Sequence, residues 1–207
     1  MLSRRLLLQT VLATVPFLLV GGQPARADTA SEAGRFIQDL ADTAIATAAA
    51  GNISETERVD RFRRLFVSAF DLPEIARFVL GRYWRTATPA QQQRFLELFR
   101  EITVLTWSRR FQDYGGETLD VINVAADGEQ GMFVESRINR MAGGQAIPVT
   151  WRLRRREGRF QIVDIIVEGV SMAITHRSEY TSAVRSNGGD LDGLLTAMAN
   201  KIDVLRG

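Results

Sequence analysis

The sequence predicts an α+β domain in which helices pack on one face of a curved antiparallel sheet of about four strands. Three observations carry this. The hydrophobic period changes near Thr118 from 3.6 residues to 2. Turn dipeptides, Asp127-Gly128, Gly143-Gly144 and Glu157-Gly158, divide the second half into short strands. No break in composition, internal repeat or low-complexity segment interrupts the chain, so one domain is expected.

The chain opens "MLSRRLLLQTVLATVPFLLVGGQPARA", with Arg4 and Arg5, an apolar run from Leu6 to Val20, and Ala25-Arg26-Ala27. That order of basic, apolar and small residues is an export signal, and the run is too short for a retained membrane span. We expect residues 1–27 to be removed after Ala27, leaving residues 28–207 as a single domain. Three arginines and no acid go with the signal, so Lys+Arg falls from 26 to 23 against 24 Asp+Glu and the net charge from +2 to about −1. The basic pI of the full chain is then no argument for a nucleic-acid partner, and none is expected. "SRRLLL" is compatible with either a secretory or a twin-arginine route. Without cysteine there is no disulfide framework, thiol nucleophile or Cys-ligated metal.

Ile37, Leu40, Ala41, Ala44, Ile45 and Ala48 recur at helical spacing until Gly51. Ser54 and Glu57 make a capping box ahead of Val59, Phe62, Leu65, Phe66, Ala69 and Phe70. "DLPEIARFVLG" reads as a short helix with Pro73 in its first turn and Gly81 at its end. Thr88-Pro89 begins a long helix whose inward face is Phe95, Leu98, Phe99, Ile102 and Leu105, and Gly115-Gly116 closes the helical half.

In the second half, Met132, Val134 and Ile138 alternate with Phe133, Glu135, Arg137 and Asn139, and Ile147, Val149, Trp151 and Leu153 with Pro148, Thr150, Arg152 and Arg154. The fourth strand runs from Arg159 to about Glu168. Strict alternation puts Val163, Ile165 and Val167 on one face and Phe160, Ile162, Asp164 and Glu168 on the other. A helix follows Ser171 and ends at Asn187-Gly188-Gly189. The last begins after Asp190, with Leu191, Leu194, Leu195, Met198, Ile202 and Leu205 inward.

Candidate chemistry is sparse. His176 is the one histidine and sits in the polar stretch "THRSEY", so a His-based metal site is not expected. Asp164 and Glu168 share a strand face, where paired carboxylates do acid–base work if buried together and solvate separately if not. In "WRLRRREGR", Arg152, Arg154 and Arg156 form a row opposite Trp151 and Leu153, either the solvated side of a strand or a docking face for an acidic partner or phosphate headgroups. "RFVLGRYWR" crowds Phe78, Val79, Leu80, Tyr83 and Trp84 around Gly81, as core residues or as a cavity lining with polar tips at its mouth. "VDIIVEGVSM" carries more apolar groups than the end of a strand needs. A site that binds something apolar fits it better than a site that performs a reaction.

At "VDIIVEGVSMAITHRSEYTSAVRSNGGDLDGLL" and "FDLPEIARFVLGRYWRTATPAQQQRFLELF" the chain resembles the MlaC, or toluene-tolerance, family over nearly all of the expected mature domain. The resemblance implies an NTF2-like fold whose helices and sheet enclose an apolar cavity, and a periplasmic, non-enzymatic phospholipid carrier active in outer-membrane lipid asymmetry. It would exchange cargo with an inner-membrane ABC transporter complex through its substrate-binding component, and with an outer-membrane lipoprotein/porin complex, touching membranes transiently. The cargo is phospholipid, or a hopanoid if the likeness to a hopanoid-cluster subgroup holds; no metal or other cofactor is implied. Carried over by motif, the lipid-binding residues would be Val79, Leu80 and Tyr83 with Val170 and Met172. The period analysis adds Trp84, Phe99, Trp151, Ile165 and Val167. The same resemblance turns Asp164 outward and makes Glu168 a turn residue. The less favoured alternatives are an enzyme on the same fold using Asp164 with Glu168, and an interaction module docking through its arginine row.

Overall fold

The computed structural model describes residues 24–206 apart from residues 113 and 142, so the apolar run expected to be a signal lies outside the described residues. Five helices come first: α1 (Pro24–Ala49), α2 (Glu55–Ala69), α3 (Leu72–Leu80), α4 (Arg82–Thr86) and α5 (Pro89–Gln112). The sheet follows as β1 (Thr118–Ala126), β2 (Gly131–Asn139), β3 (Ile147–Arg156), β4 (Arg159–Val167) and β5 (Val170–Ser171), before α6 (Met172–Ser186) and α7 (Leu191–Arg206). The expected signal cut after Ala27 falls in the first turn of α1.

Local chemistry accounts for the boundaries. The Ser54 side chain accepts from the Glu57 N–H at the start of α2, the cap its spacing announced; the Glu57 carboxylate, however, turns to Arg61 at 2.7 Å, so only half of the capping box forms. Asp71 caps α3 through the Glu74 N–H, and Gly81 closes it at φ +59°, a conformation that favours glycine.

The strands form a meander in the order β1-β2-β3-β4-β5, with every neighbour antiparallel. The fifth, two-residue strand was not expected. It exists because Glu168 and Gly169 both take positive φ, at +50° and +83°, and so make a two-residue turn that folds Val170 back onto Val167.

One phase expectation is corrected. Phe160 and Ile162 are buried, and yet Ile165 and Val167 also face inward. A bulge resolves this: Arg152 pairs with Asp164 and Leu153 with Ile162, leaving Val163 as the extra residue. The strand therefore keeps an apolar inner face on both sides of the bulge.

Helices cover the inner face. α1 lies on β1 so closely that a side chain at Gly34 would meet Val124 at 3.3 Å. The dense part of the core gathers Val79, Leu80, Phe95, Phe99, Val134, Leu153 and Ile162 with the inward faces of α6 and α7. Tyr180 of α6 packs edge-on to Phe95 at 5.5 Å, and burial pushes its phenol pKa up. Glu101 of α5 ties α2 and α7 to the long helix by pairing with Arg63 at 2.6 Å and Arg206 at 3.1 Å; Arg63 is the main cause that holds its carboxyl below the usual range.

Candidate functional site

Between α1, α2 and the concave face of the sheet lies a cavity of about 260 Å³. α1 presents the stripe Ile37, Leu40, Ala41, Ala44 and Ile45, a wall spaced at 3 and 4 residues as a helix requires. α2 presents Phe62, Leu65 and Phe66, and Phe70 continues the ladder with its ring stacked 4.1 Å from Phe66. The sheet supplies Leu119, Ile138, Val149, Trp151, Ile165 and Val167 as the floor, and Trp107 of α5 joins at the end.

The one polar group that the floor presents is satisfied. Trp151 donates its indole N–H to Ser136 Oγ at 2.9 Å, and Ser136, itself buried, donates to the Val149 carbonyl at 3.0 Å. A buried donor without a partner would cost about 1–3 kcal/mol, so this relay lets a tryptophan serve as an apolar surface. Among the described lining residues charge enters only through Glu117, beside Tyr114 and Thr118. Its carboxyl is held below the ordinary range, first by hydrogen bonds from its own backbone N–H and that of Gly115, then by the field of Arg140.

Of the ten residues expected to bind cargo, the structure brings Trp151, Ile165 and Val167 together in the cavity. Val79, Leu80 and Phe99 lie elsewhere, buried in the packed core where their periodicity put them, but against other helices. Tyr83 and Trp84 sit on α4, packed at the edge of that core. Arg82 donates to the Tyr83 hydroxyl at 2.9 Å and, with Arg185, lowers its pKa. Val170 is 55% exposed and Met172 opens α6 outside the cavity lining, because the β4–β5 turn carries both past the cavity. The lining on α1 and α2 was missed as a site. Its signal was present in two facing apolar stripes and in phenylalanines four apart at 62, 66 and 70.

The carboxylate pair does not assemble. Asp164 does not turn outward to solvent: its two oxygens accept from the Ala173 N–H at 2.9 Å and the Ser171 hydroxyl at 2.5 Å, which caps α6. Glu168 occupies the exposed turn, and neither lines the cavity. The arginine row is not a bare cationic face either. Arg152 and Arg154 both pair with Asp127, and Arg156 pairs with Asp71 at 3.4 Å and Glu74 at 3.8 Å. His176 is half-exposed and contacts Glu179 at 2.9 Å.

The described residues contain no cluster of side chains fit to hold a metal, and no helix long and apolar enough to cross a membrane.

The chain as a whole is similar to known proteins. Toluene tolerance protein Ttg2D of Pseudomonas putida is 25% identical over 144 residues, 69% of this chain and 66% of that protein. The intermembrane phospholipid transport system binding protein MlaC of Haemophilus influenzae is 22% identical over 124 residues, 58% of this chain and 56% of that one. The chain thus spans between 56% and 66% of the length of these relatives. A solved phospholipid-binding protein from Ralstonia solanacearum, in complex with a phospholipid, has the same fold with a TM-score of 0.73 at 19% identity, over 85% of this chain and 99% of that one. The family described as MlaC protein matches residues 38–200, from within α1 into α7, and the chain belongs to the MlaC family.

Proposed function

We propose that this protein is a periplasmic carrier that holds the acyl chains of a phospholipid in the cavity between α1, α2 and the sheet. It would move that lipid between an outer-membrane lipoprotein/porin complex and an inner-membrane ABC transporter. The observation that supports it is a cavity walled almost wholly by hydrocarbon in a fold shared with a protein captured with a phospholipid. Burying one methylene is worth about 0.8 kcal/mol, so a 16-carbon chain offers on the order of 12 kcal/mol before ordering costs. Tail burial alone can therefore hold the cargo. Release then requires the walls to part, which makes docking to a membrane complex the natural trigger.

We infer no catalytic role. Asp164 is committed to a helix cap and Glu168 to a turn, so the acid–base alternative lacks its pair.

Native mass spectrometry of the mature protein purified from the periplasm, with organic extraction, tests this reading. A stoichiometric lipid is expected, and its mass separates phospholipid from hopanoid. The Ile45→Glu variant, which places a charge on the α1 wall at a half-buried position, is expected to fold and lose its lipid. Val170→Glu, on the exposed turn outside the cavity, is expected to keep it. Full lipid loading in Ile45→Glu would defeat the assignment of the cavity.

A further inference from the structure

Where Glu117 lines the cavity, the ends of β1 and β2 place Arg140 near enough for its field to act on that carboxylate. Thr118 pairs with Asn139, so one step further along the antiparallel register Glu117 lies opposite Arg140. The junction is fixed from several sides. Tyr114 donates its hydroxyl to the Glu117 carbonyl at 2.9 Å, the Gly115 N–H donates to the Glu117 carboxylate at 2.8 Å, and Asn139 donates to Asp120 at 2.8 Å. Met141 lies so close over Gly116 that a side chain there would meet it at 2.7 Å, which closes the 115–117 turn against the β2–β3 loop. Glu117 is the one charged residue among those described as lining the cavity.

We propose that Glu117 and Arg140 form a headgroup site that selects phospholipids bearing a primary amine next to the phosphate over those whose headgroup is only anionic. The inference rests on the lipid-carrier reading above. With the acyl chains buried in the cavity, the headgroup stays at the lip, within the field of Glu117. A carboxylate oxygen accepts more than one hydrogen bond, so the Gly115 contact leaves Glu117 able to accept from an ammonium. Arg140, across the strand pair, matches the phosphate. A lipid with a phosphate and no ammonium meets Arg140 equally well but brings nothing to Glu117. The carboxylate then acts on it only by repulsion.

The test uses the mature protein, freed of lipid, incubated with vesicles of equimolar phosphatidylethanolamine and phosphatidylglycerol, the bound lipid being extracted and weighed by class. Wild type is expected to enrich phosphatidylethanolamine roughly three- to fivefold, the size of an exposed ion pair. Glu117→Gln keeps the acceptor for Gly115 while removing the charge, and is expected to take up both lipids equally. Glu117→Lys is expected to invert the preference. Raising the salt concentration weakens the enrichment in wild type. Uptake of both lipids by wild type without preference, or a preference unchanged in Glu117→Gln, overturns the headgroup site and leaves the carrier reading standing. Failure to take up either lipid overturns both.

Discussion

Ser136 illustrates how much of the candidate site is decided by single side chains. Its alternation with Met132, Val134 and Ile138 marks it as inward, but a serine among apolar residues carries no label saying what it is for. The structure supplies the reason: its hydroxyl passes a hydrogen bond from the Trp151 indole to the Val149 carbonyl beneath the cavity floor. Ser136→Ala strands the indole N–H in an apolar wall and is expected to lower stability by about 1–3 kcal/mol. For a domain of this size that is a fall in Tm of roughly 2–12 °C by scanning calorimetry. An unchanged Tm would mean that Trp151 finds another acceptor. Trp151, Ile165 and Val167 were legible because a strand's period of two leaves a residue only two faces to choose between. Val79, Leu80 and Phe99 were equally legible as buried, but burial does not say whether the neighbour is a side chain or a cavity. Periodicity identifies the inside of the molecule and not the empty part of it.

At the scale of elements, the strand with the richest apolar run shows where pattern reading fails. Strict alternation cannot place Phe160, Ile162, Ile165 and Val167 on one face, yet all four turn inward, because Val163 is bulged out of register. A bulge is a relation between two strands. Nothing in one strand's own sequence announces it. The same junction explains the two acids within the run. Asp164, just past the bulge, reaches the first turn of α6, and Glu168 takes the first left-handed position of the turn that makes β5. Between them they set the direction in which the chain leaves the sheet. Helix ends, by contrast, were legible from Ser54, Asp71-Leu72-Pro73, Gly81 and Asn187-Gly188, since caps act within a few residues. Asp164→Ala removes acceptors for both Ser171 and Ala173 and is expected to destabilise by about 1–3 kcal/mol, while Asp164→Asn, which keeps an oxygen for the Ala173 N–H, loses less. Urea titration separates the two. Loss of lipid loading in Asp164→Asn at wild-type stability would instead return this carboxylate to the functional site.

For the molecule as a whole, the consequential asymmetry is between its two groups of helices. α5, α6 and α7 close on one another and on α3 through Phe95, Phe99, Tyr180, Leu194, Leu195 and Met198, with Glu101 bridging α2, α5 and α7. α1 and the apolar stripe of α2 instead face a space of about 260 Å³, and α1 reaches the rest of the molecule chiefly along β1, then α2, then β2. That volume lies just below the roughly 300–1,000 Å³ usual for ligand pockets, so we expect a long acyl chain to be taken up with α1 and α2 moving away from the sheet. Helices that lack packing partners on one face open at lower free energy than those in a filled core. A phospholipid held there, as proposed, would supply the missing contacts. Stripping the lipid with organic solvent and refolding is therefore expected to speed amide hydrogen exchange in 37–49 and 55–69 by tenfold or more, with α5 and α7 exchanging as before, and vesicle-supplied phospholipid is expected to reverse it. The comparison is internal to one protein, so a uniform change across all helices would report global stability alone. Protection that rises only in α1, α2 and the cavity-facing strands would identify the moving wall and couple its closure to the cargo it holds.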